Sequence, residues 1–532
     1  MPGDRLGPCL LSGLLSGRLR GRLCRALSSL LVGLPIGGLL TLGACALAGG
    51  RARAATPEPP GAIGWWTADS NRLFPERAVY PDATGVVTVI HLGGPVATRG
   101  HPFFTSIGRN GRACITCHQP ADGMSVAARS VAARWTQTRG KDPIFAAIDG
   151  SNCPSQPQQL AASHSLLLTR GLFRIARPWP PRGPDGRRIV PQFTIEVMHD
   201  PTGCNLDPVY GLGSAHPMVS VYRRPRQAAN LKYVTSYGFT FDPKSGLPLA
   251  IDPTTGLRYA GNLLADRRAR TLQEQALDAL RTHLQRHGPL DGARMRAIID
   301  FESHVYVAQS VDRVGGSLTD GGAQGGPDAL AAGKAAVLDN PRDPQWAEFA
   351  DWANERDSRE TPAQRAFRAS VIRGIDIFNN HTFLITDSAG LNSMNFGNPT
   401  RNTCSFCHNM TRTGMDVAPG QVDLGTTNEP FADPAPDLPL FKLTCHAKYP
   451  PQPFLGRVVY THDPGLALTT GRCADIGRIT IQDMRGLATR PPYFSNGSAR
   501  TLRDIVDFYD RRYHIGFTEQ DKEDLVHLLG VL

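Results

Sequence analysis

The chain has 532 residues, of which 41% are hydrophobic and 20% are charged, and its formal net charge is +10. A chain of this length is too long to fold around one ordinary hydrophobic core, and the composition excludes a fibrous or broadly disordered protein. A basic chain can bind nucleic acid, but the first 54 residues contain seven arginines and a single acidic residue. Because the rest of the chain is only weakly basic, we do not expect nucleic acid as a partner.

Residues 1–54 resemble an export signal. Several arginines precede an apolar run at 30–42, and small residues at 52–54 provide a cleavage site. The apolar run is short for a membrane span and is interrupted by Pro35. Cys45 ends a Leu-Gly-Ala-Cys sequence that instead suits attachment of a lipid. We therefore predict a protein of the periplasm, either soluble or anchored to a membrane through Cys45.

The first half of the chain combines extended runs with two helices. A cysteine motif at 114–118 precedes short extended runs, cut by Pro and Gly, at 165–262. The spacing of apolar residues then predicts helices at 271–287 and 291–309. Gly pairs and few large side chains at 315–333 predict a flexible connection.

The second half begins with helical periodicity near Ala363 and contains a second cysteine motif at 404–408. Two further helices are predicted at the carboxy end. Each opens with a Thr followed three residues later by an Asp, at Thr501 and at Thr518, as in a capping box.

The two motifs carry the chemistry of the sequence. They are Cys114-Ile115-Thr116-Cys117-His118 and Cys404-Ser405-Phe406-Cys407-His408. In this pattern both thiols can form thioethers with the vinyl groups of one haem, and the adjacent His is the proximal iron ligand. A Cys-x-x-Cys pair alone also suits a redox dithiol or half of a zinc site, but neither copy has a second pair nearby. We therefore predict two covalently bound c-type haems, with His118 and His408 as iron ligands.

We accordingly predict a mainly α fold with two cytochrome c-like haem domains and loop-rich insertions. The signal at 1–54 is followed by an N-terminal haem domain at 55–310, which holds a loop-rich insertion at 125–220. A linker at 311–362 leads to a C-terminal haem domain at 363–532.

Four cysteines remain outside the signal and the motifs. An oxidising compartment favours disulfides over four unpaired thiols. We therefore pair Cys153 with Cys204, and Cys445 with Cys473.

The sixth ligand of each iron decides its chemistry. Met or His favours electron transfer, whereas an open position can bind oxygen or peroxide. Spacing alone leaves several candidates, namely Met124, Met410, Met415, His446, His462, Met484 and Tyr509.

A resemblance to a known family narrows these choices. Residues 484–502 (MRGLATRPPYFSNGSARTL) resemble the carboxy-terminal signature of bacterial di-haem cytochrome c peroxidases and of the related MauG enzymes, which mature a quinone cofactor. Segments at 223–230 and 272–276 also resemble parts of that family. The resemblance covers about 100–310 and 365–532.

The resemblance implies different roles for the two haems. The haem on His118 would meet hydrogen peroxide or dioxygen. The haem on His408 would store or relay electrons from a small redox protein, a cytochrome c or a cupredoxin. Its distal ligand would be Tyr509, at the position where ordinary peroxidases have Met and the MauG branch has Tyr.

The resemblance also indicates residues beside the first haem. Gln275, Ala279 and Gln285 stand where the family has Gln, Pro and a proton-shuttling Glu. Gln285 cannot take up and release a proton as a carboxylate does. His283 is close in sequence and could substitute for it. The candidate catalytic residues are therefore Gln275, His283 and Gln285.

Other positions depart from the family pattern. Phe241-Asp242 is the nearest match to a Trp-Asp pair between the haems, and Ser495 replaces a His of the signature. Arg223 and Arg490 occupy two of the three positions of the family's calcium site, and Pro492 occupies the third. Two cations there argue against calcium.

We expect a di-haem oxidoreductase that reduces hydrogen peroxide or uses it to oxidise a partner. Two alternatives stay open. One is an electron-transfer cytochrome with both sixth positions filled, which the replacements at Gln285 and Phe241 favour. The other is an oxygen-dependent di-haem oxygenase, which needs an open position but no acid–base carboxylate.

Overall fold

The computed structural model describes residues 64–532 except for short internal segments. Those segments are 184–185, 237, 239, 243–244, 334–345, 355–358, 395, 412 and 415–419. The predicted signal at 1–54, with Cys45, and the candidate ligand Met415 therefore lie outside the described residues.

Helices make up 29% of the described residues and strands make up 18%. The prediction of a mainly α fold is therefore wrong. The strands are short, and several of them, such as β3 with β10 and β6 with β15, pair with partners far away in the sequence. Local periodicity does not show such pairing, because strand formation depends on packing against neighbouring strands.

The helices and strands follow one another along the whole described chain. The α-helices are α1 (Ala128–Thr138), α2 (Ser165–Arg170), α3 (Leu231–Val234), α4 (Leu272–Thr282), α5 (Gly292–His304), α6 (Pro327–Ala332), α7 (Pro362–Asn380), α8 (Cys404–Cys407), α9 (Ala467–Thr470), α10 (Leu502–Tyr513) and α11 (Glu519–Gly530). The strands are β1 (Leu73–Phe74), β2 (Arg77–Pro81), β3 (Gly85–His91), β4 (Val96–Ala97), β5 (Phe173–Pro178), β6 (Phe193–His199), β7 (Met218–Arg223), β8 (Thr240–Phe241), β9 (Pro248–Leu249), β10 (Val305–Asp312), β11 (Gly316–Ser317), β12 (Phe383–Ile385), β13 (Thr400–Asn402), β14 (Gln421–Val422), β15 (Leu440–Cys445), β16 (Val458–Thr461) and β17 (Ile479–Thr480).

Capping boxes open the last two helices, as the sequence predicts. The Thr501 hydroxyl accepts a hydrogen bond from the Asp504 N–H at the start of α10. The Thr518 hydroxyl accepts one from the Asp521 N–H at the start of α11. In both cases the carboxylate accepts in return from the capping residue's N–H, so two helix-end donors are satisfied.

Helix α4 begins where predicted but ends early. The Thr271 hydroxyl caps it by accepting from the Glu274 N–H. The helix ends at Thr282 rather than near 287, and Gln285 has a left-handed φ of 52°. A left-handed residue stops helical hydrogen bonding, so the residues after Thr282 form a loop.

A four-stranded antiparallel sheet, in the order β11-β10-β3-β2, contains residues that the sequence predicted to be the end of a helix. Helix α5 ends at His304, and residues 305–309 belong to β10. Val305 and Val307 are fully buried and pair with β3. Branching at Cβ disfavours the helix and suits a packed strand.

A three-stranded sheet, in the order β16-β15-β6, joins the two halves of the chain. Strand β6 comes from the predicted loop-rich insertion, and β15 from the second half. Val197 pairs with Phe441, and Ile195 pairs with Leu443. Phe193, Phe441 and Leu443 are buried in one hydrophobic cluster between these segments. The remaining two-stranded sheets are β1-β4, β5-β7, β8-β9, β12-β13 and β14-β17.

Both predicted disulfides are confirmed. Cys153 is bonded to Cys204 within the insertion. Cys445 is bonded to Cys473, at the end of β15.

Two large hydrophobic cores lie beside the two cysteine motifs. The first contains Ile115, Ala276 and Ile298. The second includes residues of α7, α10 and α11, among them Val506 and Leu528. Each motif therefore lies against apolar packing that comes from distant parts of the chain.

Residues 315–333, predicted to be a flexible connection, form β11 and α6. Leu318 is fully buried in the second core. The described residues form one compact unit, within which the predicted domain limits at 310 and 363 stay a prediction. Among the described residues, no helix is both long enough and apolar enough to cross a membrane.

Candidate functional site

The first motif forms a turn that faces a cavity. Residues Cys114–Thr116 make one turn of 3-10 helix, and the His118 N–H donates to the Cys114 carbonyl oxygen across 3.1 Å. Cys114, Cys117 and His118 all line this space, which we name the first cavity.

The backbone orients the imidazole of His118. Its Nδ1 lies 3.0 Å from the carbonyl oxygen of Met124. A carbonyl oxygen only accepts, so Nδ1 carries the proton. Burial lowers the pKa of His118 to about 4, so the ring is neutral at pH 7. The unprotonated Nε2 is then available to a metal ion.

The second motif repeats this arrangement. It forms the short helix α8, and the His408 N–H donates to the Cys404 carbonyl oxygen across 3.0 Å. Nδ1 of His408 donates to the carbonyl oxygen of Gly414 across 2.8 Å. Burial lowers the pKa of His408 as well. In both motifs the acceptor lies six residues after the His, so both rings expose Nε2 in the same way.

The four motif cysteines are thiols outside any disulfide. Burial raises the pKa of Cys117, Cys404 and Cys407 to about 12, and that of Cys114 further. A reactive redox dithiol needs a thiolate, which burial of this kind disfavours. Within the described residues, no three His, Cys, Asp or Glu side chains gather as a metal site.

The first cavity has an empty volume of about 1450 Å³, including the part that opens to solvent. Leu272 and Ala276 of α4 and Ile298 of α5 give it apolar walls. Its lining also includes polar and charged side chains: Arg223, Arg224, Arg226, Asn262, Arg268, Gln275, His283, Glu302, Asp483 and Arg490.

Several of these polar side chains lack partners. Asn262 is fully buried, and neither atom of its amide has a hydrogen-bond partner among the described residues. The same is true of Oε2 of Glu302 and Nε of Arg490. Buried polar atoms without partners are rare in native proteins. They indicate that the cavity takes a group with polar atoms of its own.

Buried arginines make one part of the first cavity positive. Burial lowers the pKa of Arg224 to about 9 and that of Arg226 to about 10, and it lowers the pKa of Arg490. Asp483 also lines the cavity, and burial raises its pKa. The positive charge of these three guanidinium groups therefore exceeds the nearby negative charge, which suits a ligand with carboxylates.

Arg223, at one predicted calcium position, is instead part of an ion network. It donates to Asp463 across 2.6 Å and to Asp266 across 2.8 Å. Arg268 also pairs with Asp266. These ion pairs join β7 to the loop before α4 and to the second half of the chain.

The second cavity, lined by Cys404, Cys407 and His408, is smaller and apolar. It has an empty volume of about 830 Å³, including its open part. Its walls include Phe378, Leu424, Met484 and Ile505. No Asp, Glu, Lys or Arg lines it among the described residues.

The residues present fit a haem at each motif. A haem combines an apolar macrocycle with two carboxylates, and both motifs face apolar walls with an available Nε2. The first cavity adds unpaired amide and guanidinium atoms that a carboxylate can satisfy. In the second cavity the apolar lining fits the macrocycle alone.

The structure brings two of the three candidate catalytic residues to the first cavity. Gln275 and His283 line it, together with Ala279. Gln285 does not line it, because α4 ends three residues earlier and Gln285 continues into a loop. Phe241 is 61% exposed and lines neither cavity.

Tyr509 of α10 lines the second cavity opposite the motif. Its ring centre lies 6.5 Å from that of His408, at an interplanar angle of 81°. Its hydroxyl makes no hydrogen bond within the described part of the chain. Burial raises the pKa of Tyr509 well above its usual value. Met484 lines the same cavity, whereas Met124, Met410, His446 and His462 line neither.

His283 is held by a carboxylate from the insertion. Its Nδ1 lies 2.5 Å from Oδ2 of Asp149, and Oδ1 of Asp149 accepts from Arg112. Arg112 and Asp149 are both buried, at 0% and 4% exposure. Burial alone would raise the pKa of Asp149. The positive charge of Arg112 and the hydrogen bond from His283 outweigh burial, so the pKa is lowered.

Glu302 is a cavity residue that the sequence analysis missed. It lies on α5, one turn after Ile298, and is 5% exposed. Burial raises its pKa to about 8. The signal was present in the sequence, because Glu302 interrupts the apolar face of Met295, Ile298 and Ile299. Asp149 gave no such signal, since 134 residues separate it from His283.

Comparisons with known proteins find distant structural similarity. No protein-family model matches the chain, and no curated protein matches it either. Among solved structures, the chain is similar to a MauG-like protein associated with microbial copper homeostasis, with a TM-score of 0.26 and 14% identity. The match covers 57% of this chain and 80% of that one.

Proposed function

We propose that the chain is an exported di-haem c-type oxidoreductase that reduces hydrogen peroxide with electrons from a small redox protein. The observation that carries this proposal is the difference between two otherwise parallel sites. Both motifs orient their His through Nδ1 toward a backbone carbonyl six residues later. Among the described residues, only the first cavity adds carboxylates, guanidinium groups and a second His.

Residues of the first cavity would hold a haem at its two ends. Cys114 and Cys117 provide the thioethers, and His118 provides the iron ligand. Asn262 and Arg490 provide unpaired polar atoms for the carboxylates. Haem iron, when bound, supplies a place for peroxide and a path for electrons.

Protons must come from the protein. Each peroxide takes up two electrons and two protons and leaves as two water molecules, so a group that accepts and returns a proton speeds the cleavage. His283 lines the cavity, and its Nδ1 is already engaged by Asp149. Its Nε2 is therefore the nitrogen that can serve a bound peroxide. Gln275 lines the same cavity and can donate a hydrogen bond but no proton.

The second cavity suits electron transfer. It lacks charged side chains within the described residues, and Tyr509 faces His408 across it. A site with both axial positions filled by protein exchanges electrons without binding substrate. The small redox protein would therefore deliver its electrons to the second motif.

The disulfide bonds of the chain also support export. The two disulfides belong in an oxidising compartment. An N-terminal signal at 1–54 would bring the chain to the periplasm, with or without a lipid on Cys45.

The test is peroxide consumption by the purified protein carrying two haems, with a reduced c-type cytochrome as donor. We expect steady oxidation of the donor at two electrons per peroxide. His283→Gln should lower the rate by roughly 10²- to 10⁴-fold. His287→Gln, an exposed neighbour, serves as the matched control and should leave the rate unchanged. A wild-type protein that oxidises no donor would refute peroxide reduction, and a fully active His283→Gln would refute the role of His283.

A further inference from the structure

The insertion at 125–220 provides a carboxylate to His283, which lines the first cavity. Asp149 lies in this insertion, and its Oδ2 accepts from Nδ1 of His283 across 2.5 Å. His283 follows α4, 134 residues later. The contact therefore exists only when the insertion is folded against α4.

Arg112 holds both members of this pair. Its NH1 donates to Oδ1 of Asp149 and to the carbonyl oxygen of His283, the latter across 3.3 Å. Its Nε donates to the carbonyl oxygen of Pro143 across 2.6 Å, and its NH2 to that of Ile144 across 2.5 Å. With its donors engaged and its side chain fully buried, the guanidinium has one available position.

Arg112 is also two residues before Cys114. The guanidinium thus ties the His283–Asp149 pair to the turn that carries the motif. Asn110 adds a second tie, since its Nδ2 donates to the His283 carbonyl oxygen across 2.7 Å. The backbone and the ring of His283 are both fixed relative to Cys114.

We infer that Asp149 is the positioning residue for His283, fixing its ring so that Nε2 faces the first cavity, and that Arg112 fixes Asp149 in turn. A carboxylate on Nδ1 selects the tautomer with a free Nε2 and stabilises the ring when Nε2 takes up a proton. Arg112 keeps Asp149 ionised in a buried place. This inference rests on the proposed role of His283 and gives the insertion a part in the chemistry.

Cyanide binding tests the inference without turnover. Hydrogen cyanide binds ferric haem as the anion, so a base in the cavity must take its proton. We expect His283→Gln to weaken cyanide binding at the first haem, and Asp149→Asn to weaken it by roughly 10- to 100-fold. In the double variant, Asp149→Asn should add nothing to His283→Gln, because the two act as one unit.

Asp142→Asn is the matched control. Asp142 is also a buried carboxylate of the insertion, is paired with Arg134, and makes no hydrogen bond to His283 in the described structure. We expect it to leave cyanide affinity unchanged. An equal loss in Asp142→Asn and Asp149→Asn would overturn the inference by showing a general disturbance of the insertion.

Removing a buried partner of Arg112 can also prevent folding. His283→Nδ1-methylhistidine keeps the Asp149 and Arg112 side chains and a basic Nε2, and it replaces the N–H that donates to Asp149 by a methyl group that separates the pair. We expect this variant to lose cyanide affinity as Asp149→Asn does, and unchanged affinity would overturn the inference.

The outcomes separate the inference from the proposed function. A wild type that binds cyanide but reduces no peroxide, with both Asp149→Asn and the methylated variant weakened, would refute the function and support the positioning. A wild type that reduces peroxide with no effect of either variant on cyanide or on the rate would refute the positioning alone. A wild type that neither binds cyanide nor reduces peroxide would refute both.

Discussion

The ring of Tyr509 stands nearly perpendicular to the ring of His408, with the ring centres 6.5 Å apart. Both side chains line the second cavity, and Tyr509 belongs to α10, far from the motif in sequence. Burial raises the pKa of Tyr509, so its hydroxyl keeps its proton unless a cation takes the place of that proton on the oxygen. A ferric iron held by His408, as proposed, would be such a cation.

Tyr509→Phe should therefore change the absorbance and electron paramagnetic resonance spectra of one haem and leave those of the other intact. Loss of a phenolate ligand raises the reduction potential of that haem, because a phenolate favours the ferric state. Tyr513→Phe is the control, since Tyr513 lines the same cavity but its hydroxyl lies 2.8 Å from that of Ser388. Identical spectra for wild type and Tyr509→Phe would leave Tyr509 as a packing residue.

Replacing both cysteines of either motif by alanine should remove one covalent haem. Intact-mass measurement and the absorbance of denatured haem would each report one haem in Cys114→Ala/Cys117→Ala and one in Cys404→Ala/Cys407→Ala. The two variants control each other, because each retains the motif that the other lacks. Two covalent haems in either variant would contradict attachment at the motifs.

Glu302 should make the protein less stable as the pH rises. Its pKa is about 8 in the folded state against an ordinary value of 4.5, so between these values the folded chain holds a proton that the unfolded chain has released. The free energy of unfolding then falls through this window, by about 5 kcal/mol at most. Glu302→Gln cannot ionise and should show a flatter dependence.

Denaturant unfolding at pH 5 and pH 9 measures this difference. Glu274→Gln is the control, because Glu274 is partly exposed and pairs with Arg270 at the surface. It should keep the pH dependence of the wild type. If Glu302→Gln loses as much stability between the two pH values as the wild type, the proton does not reside on Glu302.

Arg490 should raise the reduction potential of the haem in the first cavity. A buried cation favours the electron-rich ferrous state, and at a distance of several ångströms its removal shifts the potential by tens of millivolts. Arg490→Gln should therefore lower the midpoint potential of one haem in a redox titration. Arg490→Lys keeps the charge and should keep the potential. Equal shifts in the two variants would point to packing rather than charge.

Local features were predictable from the sequence. The capping residues Thr501 and Thr518 and the two disulfides follow from short patterns or from the compartment, and the structure has them. The two Cys-x-x-Cys-His motifs indicated where to look for cavities, because their chemistry is contained in five consecutive residues.

Features that depend on distant contacts were not predictable. The apolar residues at 305–309 continue the helical spacing of the preceding segment, but Val305 and Val307 are β-branched. Pairing with β3 makes this segment a strand. Gln285 matches the position of a family carboxylate, yet α4 ends before it and its loop leaves the cavity wall. The contact of Asp149 with His283 joins an insertion to a helix end, and neither segment shows it alone.

The wall of the first cavity has a consequence for how the protein matures. Residues Gln482, Asp483 and Arg490 line that cavity, although the motif they face begins at Cys114. If the chain is exported as proposed, it would emerge from its amino end, and the motif would reach the periplasm well before this wall. The thiols of Cys114 and Cys117 would then be open to haem attachment during export. The cavity wall would be complete only when the last tenth of the chain arrives, so attachment could precede final folding.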